Sequence, residues 1–213
     1  SPSSTKWLKA CAKGQDLAIC MEGPERADQF TTARAGSAYY EINITGKMAH
    51  AGVNPEEGAN ALVEMTYKLN EILAKEFPDV YLVLCWIRGG SGDCCVADNA
   101  YAMLRYRIKT WDVKPEIDAF LQSVEAKTFV PGTTTRITFW PEGGFGPMPR
   151  LPWIDKFVDL VHQTSDEFGN PIREAYAWGG CDAASTVMEC PTLDGLTPVS
   201  YNCHNPEESL DLS

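Results

Sequence analysis

Across residues 36–141 the hydrophobic pattern alternates between strand and helix periods in one fixed order, and this limits the fold more than any other feature. In AYYEINITG, residues 38–46, Tyr40, Ile42 and Ile44 fall on one face and Glu41, Asn43 and Thr45 on the other, which describes a strand with one wet face. Residues 59–76 place Leu62, Met65, Leu69, Ile72 and Leu73 on one helical stripe. VYLVLCWI, residues 80–87, is a continuous apolar run and reads as a buried strand. YAMLRYRI, residues 101–108, alternates again, with Arg105 and Arg107 opposite Leu104 and Tyr106. Beyond Pro115, the residues Ile117, Phe120, Leu121 and Val124 recur at helical spacing, with the proline in the first turn. TTTRITFW, residues 133–140, is β-branched and aromatic and reads as a strand. The order β-α-β-β-α-β is the ferredoxin-like arrangement, a four-stranded antiparallel sheet with two helices on one face.

Gly36 precedes this segment and EGGFGPMPR follows it, punctuation that suits a domain boundary. The flanks have another character. Residues 3–12 read as a short helix and DLAICME as a strand ending in an acid. Later, Trp153, Phe157, Leu160, Val161 and Phe168 form a helical stripe closed by Gly169. EAYAWGG then leads through a turn into CDAASTVME, a short helix that Asp182 could cap, and PTLDGLTP supplies a further strand. Alternating strands and helices are α/β architecture. The expected fold class is therefore α/β: a partial α/β domain, residues 1–35 and 142–213, with a ferredoxin-like domain inserted at 36–141.

Composition narrows the function. The 213 residues carry a formal net charge of −11, which argues against nucleic acid and anionic membrane surfaces as partners. No run of 18 apolar residues is present, and SPSSTKWLKAC lacks the apolar core of a signal peptide. Eight cysteines occur, several inside apolar runs (LAICMEG, YLVLCWI), and no CxxC pair. Reduced thiols and a cytoplasmic location are expected, with free cysteine serving as a small hydrophobe.

Candidate chemistry lies in a few places. His50, in GKMAHAGVNPEEGANA, stands between a strand and a helix, where it could be a ligand, a catalytic donor or a turn residue. His162 lies off the apolar stripe of its helix and reads as solvated; His204 lies in the polar loop SYNCHNPEESLDLS. Glu22 ends an apolar strand, where α/β folds place ligand contacts. Gly179 and Gly180 would let backbone approach a ligand or metal shell closely. Scattered Glu and His candidates suit a zinc site, but no local spacing singles one out.

Taken together, these segments resemble a known family. GKMAHAGVNPEEGANALVEM is similar to the hallmark segment of the zinc amidohydrolases and metallopeptidases that include glutamate carboxypeptidase (carboxypeptidase G), acetylornithine deacetylase, succinyl-diaminopimelate desuccinylase and aminoacylase. ICMEGP with TTARAGSAYYEINITG, then WGGCDAAST, then CHNPEESLDLS follow in the family's order, so the resemblance spans essentially the whole chain. It implies that residues 36–141 are a dimerisation (lid) domain and that the flanks are parts of a catalytic domain. It implies a dinuclear centre of zinc, with cobalt or manganese as alternatives, in which Glu22 ligates one ion and His204 the other. His50 would reach into a partner subunit's site and donate a hydrogen bond to the scissile carbonyl oxygen. Arg107 would bind the substrate carboxylate, and Gly179 and Gly180 would lie beside substrate and metals.

Some features depart from the family. Cys94 stands where an asparagine is usual, and the loop before His204 lacks the usual glycine. The remaining ligands and the general-base glutamate, which the family carries upstream, are not in this chain. The sequence is therefore expected to be a C-terminal portion of a hydrolase cleaving an amide or peptide bond of an N-acyl amino acid or small peptide with a free carboxylate. Its expected partners are a second copy and the missing N-terminal segment. The rival expectation is a non-catalytic dimerisation or regulatory module.

Overall fold

The computed structural model describes residues 2–141 and 143–211. In chain order the elements are α1 (Pro2–Ala12), β1 (Ala18–Ile19), β2 (Gln29–Arg34), β3 (Gly36–Thr45), α2 (Ala61–Ala74), β4 (Val80–Gly89), β5 (Asn99–Ile108), α3 (Lys114–Glu125), β6 (Thr134–Trp140), α4 (Asp155–Glu167), β7 (Arg173–Ala177), β8 (Thr192–Leu193), β9 (Ser200–Tyr201) and β10 (Ser209–Leu210). They divide into two compact units, Ala38–Gly143 and the flanks Ser1–Ser37 with Gly144–Ser213.

In the first of these units a four-stranded sheet runs in the order β4-β5-β3-β6, with β4 antiparallel to β5 and β3 antiparallel to β6. The β-α-β-β-α-β order is present as read. The alternation in β3 buries Tyr40, Ile42 and Ile44, and that in β5 buries Leu104 and Tyr106 while Arg105 and Arg107 stay half-buried. These strands share one core with Met65, Leu69 and Ile72 of α2 and Ile117, Leu121 and Val124 of α3. Each such side chain contributes about 1.5–3 kcal/mol by leaving water. Asn60 starts α2, its side-chain oxygen accepting the N–H groups of Leu62 and Val63 at 3.0 and 3.1 Å.

Two expectations fail here. The run 80–87 is not fully buried. β4 is an edge strand with one covered face, so Tyr81, Val83 and Ile87 are 57%, 46% and 49% exposed. The stripe of α2 is also misplaced: Leu73 is exposed, while Glu64 and Lys68 are buried with the apolar residues.

In the flanking unit β1 pairs parallel with β8, and β2 pairs parallel with β7. Thr31 of β2 and Asp194, just beyond β8, exchange backbone hydrogen bonds at 2.7 and 3.0 Å and join the two pairs. Helix α4 packs Val158, with Ile154 just before it, against Phe30 and Leu193. The exposed side of α4 carries Leu160, and Phe168 beyond its end is exposed too, so the buried stripe is narrower than its sequence pattern suggested. His162 is half-buried rather than solvated, its ring edge-on to Phe30 at 5.4 Å. The cap of the short 3-10 helix at 182–185 is Cys181, whose Sγ accepts the Ala183 N–H at 3.3 Å, and not Asp182.

Candidate functional site

Glu22, Gly179, Gly180 and His204 belong to the flanking unit; His50 and Arg107 belong to the unit of residues 38–143. Glu22 is exposed in the loop that leaves β1. A Cβ on Gly23 would lie 3.4 Å from Pro198 O and 3.5 Å from Ser200 Oγ, so this loop passes against the segment that leads to His204. The loop also meets the residue before the glycine pair, where Trp178 N–H donates to Glu25 Oε1 at 3.3 Å. The Glu22 loop thus touches Trp178, just before the glycine pair, and the segment of Pro198 and Ser200. His204 is exposed in the turn after β9, with φ of +65°, and its N–H donates to Glu208 Oε2 at 3.2 Å. Asparagine and histidine enter left-handed backbone more readily than most residues, and Asn202 in the same turn has φ of +55°.

The glycine turn is held from beneath. Arg34 Nη1 donates to Gly179 O at 3.1 Å, and Arg34 Nε donates to Asp194 Oδ2 at 2.5 Å in a buried ion pair. A Cβ on Gly180 would lie 3.3 Å from both Ala35 O and Phe145 Cβ, a tight fit that a side chain meets only if these neighbours shift by a few tenths of an ångström. Beside the turn, Cys181 Sγ lies 2.8 Å from Asp194 Oδ2 and 3.9 Å from Cys20 Sγ. The neighbouring Cys20, burial and the Asp194 carboxylate together push the Cys181 thiol well up. The hydrogen bond with Cys181 outweighs burial and Asp194 to hold Cys20 below the ordinary thiol range. Sequence reading missed this cluster, because Cys20 and Cys181 are 161 positions apart and Arg34 reads as an ordinary strand residue.

His50 is exposed on a loop clamped at both ends. Ala51 N–H donates to Cys94 O at 2.8 Å, and Val96 N–H to Ala49 O at 2.9 Å. The Asn54 side-chain oxygen accepts the His50 N–H at 3.2 Å, and Asn54 Nδ2 donates to Glu57 at 2.8 Å. Gly52 N–H donates to His50 Nδ1 at 3.1 Å. In a neutral imidazole this acceptor role places the proton on Nε2, which leaves that nitrogen as a hydrogen-bond donor. Cys94 serves this clamp through its backbone carbonyl, a role that any residue type can fill. Arg107 is half-buried in β5 opposite Tyr81 of β4.

A zinc centre takes at least three protein ligands from His, Cys and carboxylate side chains. Glu22 and His204 are of the right chemistry and exposed, so each can offer one donor. Among the described residues the one cluster of three potential donors is Cys20, Cys181 and Asp194. No helix of the described residues is long and apolar enough to cross a membrane.

The family described as peptidase dimerisation domain matches residues 32–138. Carboxypeptidase G2 of Pseudomonas sp. (strain RS-16) is 44% identical over 216 residues, covering 95% of this chain and 50% of that protein. The chain therefore spans half the length of the curated relative it matches. Among solved structures, a tripeptidase from Staphylococcus aureus subsp. aureus Mu50 aligns with a TM-score of 0.80 at 16% identity, over 96% of this chain and 54% of the other. The aminopeptidase PepT from Bacillus cereus ATCC 10987 aligns with a TM-score of 0.74 at 16% identity, over 97% and 57%. At that identity the two structures speak to the fold.

Proposed function

Because the chain belongs to the zinc peptidase and amidohydrolase family that carries the peptidase dimerisation domain, we propose that it is the C-terminal portion of a metal-dependent hydrolase. Its substrates would be N-acyl amino acids or small peptides with a free carboxylate. The observation that carries this reading is that the Glu22 loop touches both Trp178, which leads into Gly179–Gly180, and the segment leading to His204.

Glu22 and His204 would each hold one ion, with the other donors and the general base coming from sequence upstream of this chain. When bound, zinc, or cobalt or manganese in its place, supplies Lewis acidity toward the scissile carbonyl and toward water. His50 Nε2–H donates to the oxygen on which negative charge develops, with Gly52 holding the required tautomer. Arg107 pairs with the substrate carboxylate, for which a planar guanidinium fork is suited. Gly179 and Gly180 leave the backbone beside the reacting amide free of side chains.

The partner that completes this arrangement would be a second copy. The two sheet edges differ: on β6 the outward Ile137 N–H is taken by Glu125 Oε2 at 2.7 Å, while β4 presents exposed Tyr81, Val83 and Ile87. An exposed apolar edge strand is where strand-to-strand association is favoured. The same edge would serve a non-catalytic dimerisation module, which remains the rival reading.

The test is expression of the full reading frame that contains this chain, followed by zinc analysis and assay on N-acyl amino acids and dipeptides. Glu22→Ala and His204→Ala should each lower zinc content and abolish turnover. Full zinc and full turnover in both variants, or a dimer with neither zinc nor hydrolysis in the parent protein, would defeat the proposal.

A further inference from the structure

Cys20 and Cys181 approach from opposite ends of the flanking unit's sequence, and both thiols are free. Cys20 is half-buried just beyond β1, where its N–H donates to Leu193 O at 2.8 Å. Cys181 is 2% exposed and caps the helix at 182–185. With Asp194 they could in principle hold a cation, since their donor atoms all lie within 4.8 Å of one another. The surroundings oppose that. Asp194 Oδ2 already accepts from the buried Arg34 Nε at 2.5 Å, and Oδ1 accepts the Gly195 N–H at 2.7 Å. A divalent ion there would compete with a buried guanidinium for the carboxylate it is paired with. The cluster's remaining chemistry is that of its two sulfurs, 3.9 Å apart and on separately anchored backbones. A disulfide needs about 2.05 Å, so side-chain rotation must close about 1.9 Å.

We propose that Cys20 and Cys181 form an oxidation site that a peroxide-class oxidant closes into a disulfide. The sulfur of Cys20, the more accessible of the two, attacks one peroxide oxygen. An S–O bond forms, the O–O bond breaks, and one water leaves a sulfenic acid on Cys20. The sulfur of Cys181 then attacks the Cys20 sulfur. The S–S bond forms, the S–O bond breaks, and the departing hydroxide takes the Cys181 proton as a second water. Two thiols lose two electrons in all, and one peroxide becomes two waters. The cross-link fastens the Glu22 loop to the Gly179–Gly180 turn, a geometric consequence that holds whether or not those residues act as proposed above.

The experiment uses the reduced protein from the full reading frame that contains this chain, treated with one equivalent of hydrogen peroxide, with remaining thiols blocked by N-ethylmaleimide and the digest mapped under non-reducing conditions. The expected product joins the Cys20 and Cys181 peptides and disappears on adding dithiothreitol. In Cys181→Ser the cross-link is lost and Cys20 is trapped by dimedone as a sulfenic acid. Blocked, unlinked Cys20 and Cys181 in a sample whose exposed Cys11, Cys85, Cys94 and Cys203 have oxidised would overturn the proposal. So would pairing of Cys20 with another cysteine. Reduced protein in which bound zinc protects both thiols from N-ethylmaleimide, and a chelator restores their labelling, would overturn it in favour of a metal site.

Discussion

Lys68 Nζ lies 3.3 Å from Glu64 Oε1, and both side chains are completely buried. Lys68 also donates to the carbonyls of Val124 and Lys127 at 2.6 Å each, at the C-terminal end of α3, where a cation complements the helix dipole. Glu64 Oε2 accepts the N–H groups of Phe129 and Val130 at 2.9 and 2.7 Å. The pair therefore ties α2 to the end of α3 and to the loop that leads into β6.

Removing one member should cost far more than an exposed ion pair would. Glu64→Ala leaves a buried ammonium without its counter-charge and two backbone donors without an acceptor. The expected loss is about 3–5 kcal/mol, read as a fall in the urea midpoint at unchanged slope. A loss below about 1 kcal/mol, the range of an exposed pair, would show that the burial is not maintained in solution.

Gly46 and Gly52 flank the His50 loop and should respond differently to alanine. A Cβ on Gly46 would lie 2.1 Å from Ala59 O, inside the reciprocal backbone bonding of Lys47 and Ala59. Gly46→Ala should destabilise by about 1–3 kcal/mol, the usual cost of overpacking. A Cβ on Gly52 meets the His50 ring at 3.7 Å, an ordinary contact, so Gly52→Ala should leave the melting temperature nearly unchanged. Equal melting temperatures for the two variants would contradict the packing described.

Glu174 gives a pH signature. Burial pushes its carboxyl up, but hydrogen bonds from Arg150 and Thr32, with the charges of Arg150 and His162, outweigh burial and leave it below the ordinary range. A carboxyl whose folded pKa is depressed stabilises the fold fully above its unfolded value, and that contribution vanishes as pH falls through the folded value. Glu174→Gln should therefore lower the melting temperature by a constant amount at pH 6–8. The gap should narrow once the pH drops below about 4.3, the unfolded glutamate value. A gap that widens on acidification would reverse the sign of the argument.

For the complete hydrolase, His50→Ala should lower kcat by about two to three orders of magnitude, the scale of losing an oxyanion donor. Zinc content and melting temperature should hold, since the ring is exposed and is no ligand in the proposed arrangement. Loss of zinc in this variant, or full kcat, would remove His50 from that role.

Local sequence determined the elements wherever one face is wet and the other dry. The alternation of Tyr40, Ile42 and Ile44, and of Leu104 and Tyr106, needs no partner to be read, because strand geometry alone sends neighbouring side chains to opposite faces. The spacing of Ile117, Leu121 and Val124 did the same for α3. Tertiary structure decided how far each pattern is used. The run 80–87 is apolar throughout, yet half its residues, Tyr81, Val83, Cys85 and Ile87, are exposed because the strand closes the edge of the sheet. Glu64 and Lys68 look like solvated helix residues, since the backbone groups that satisfy them come from residues 124–130, 56 or more positions away. The candidate site divides in the same way. His50, Glu22, His204 and the glycine pair stand in short motifs that a sequence displays. The Gly52 bond that sets the His50 tautomer, and the Arg34–Asp194–Cys181–Cys20 chain beneath the glycine turn, exist only once β1, β2 and the segment after β8 lie side by side. Charge burial and thiol proximity depend on contacts between distant segments, and a linear pattern carries no record of which segments will meet.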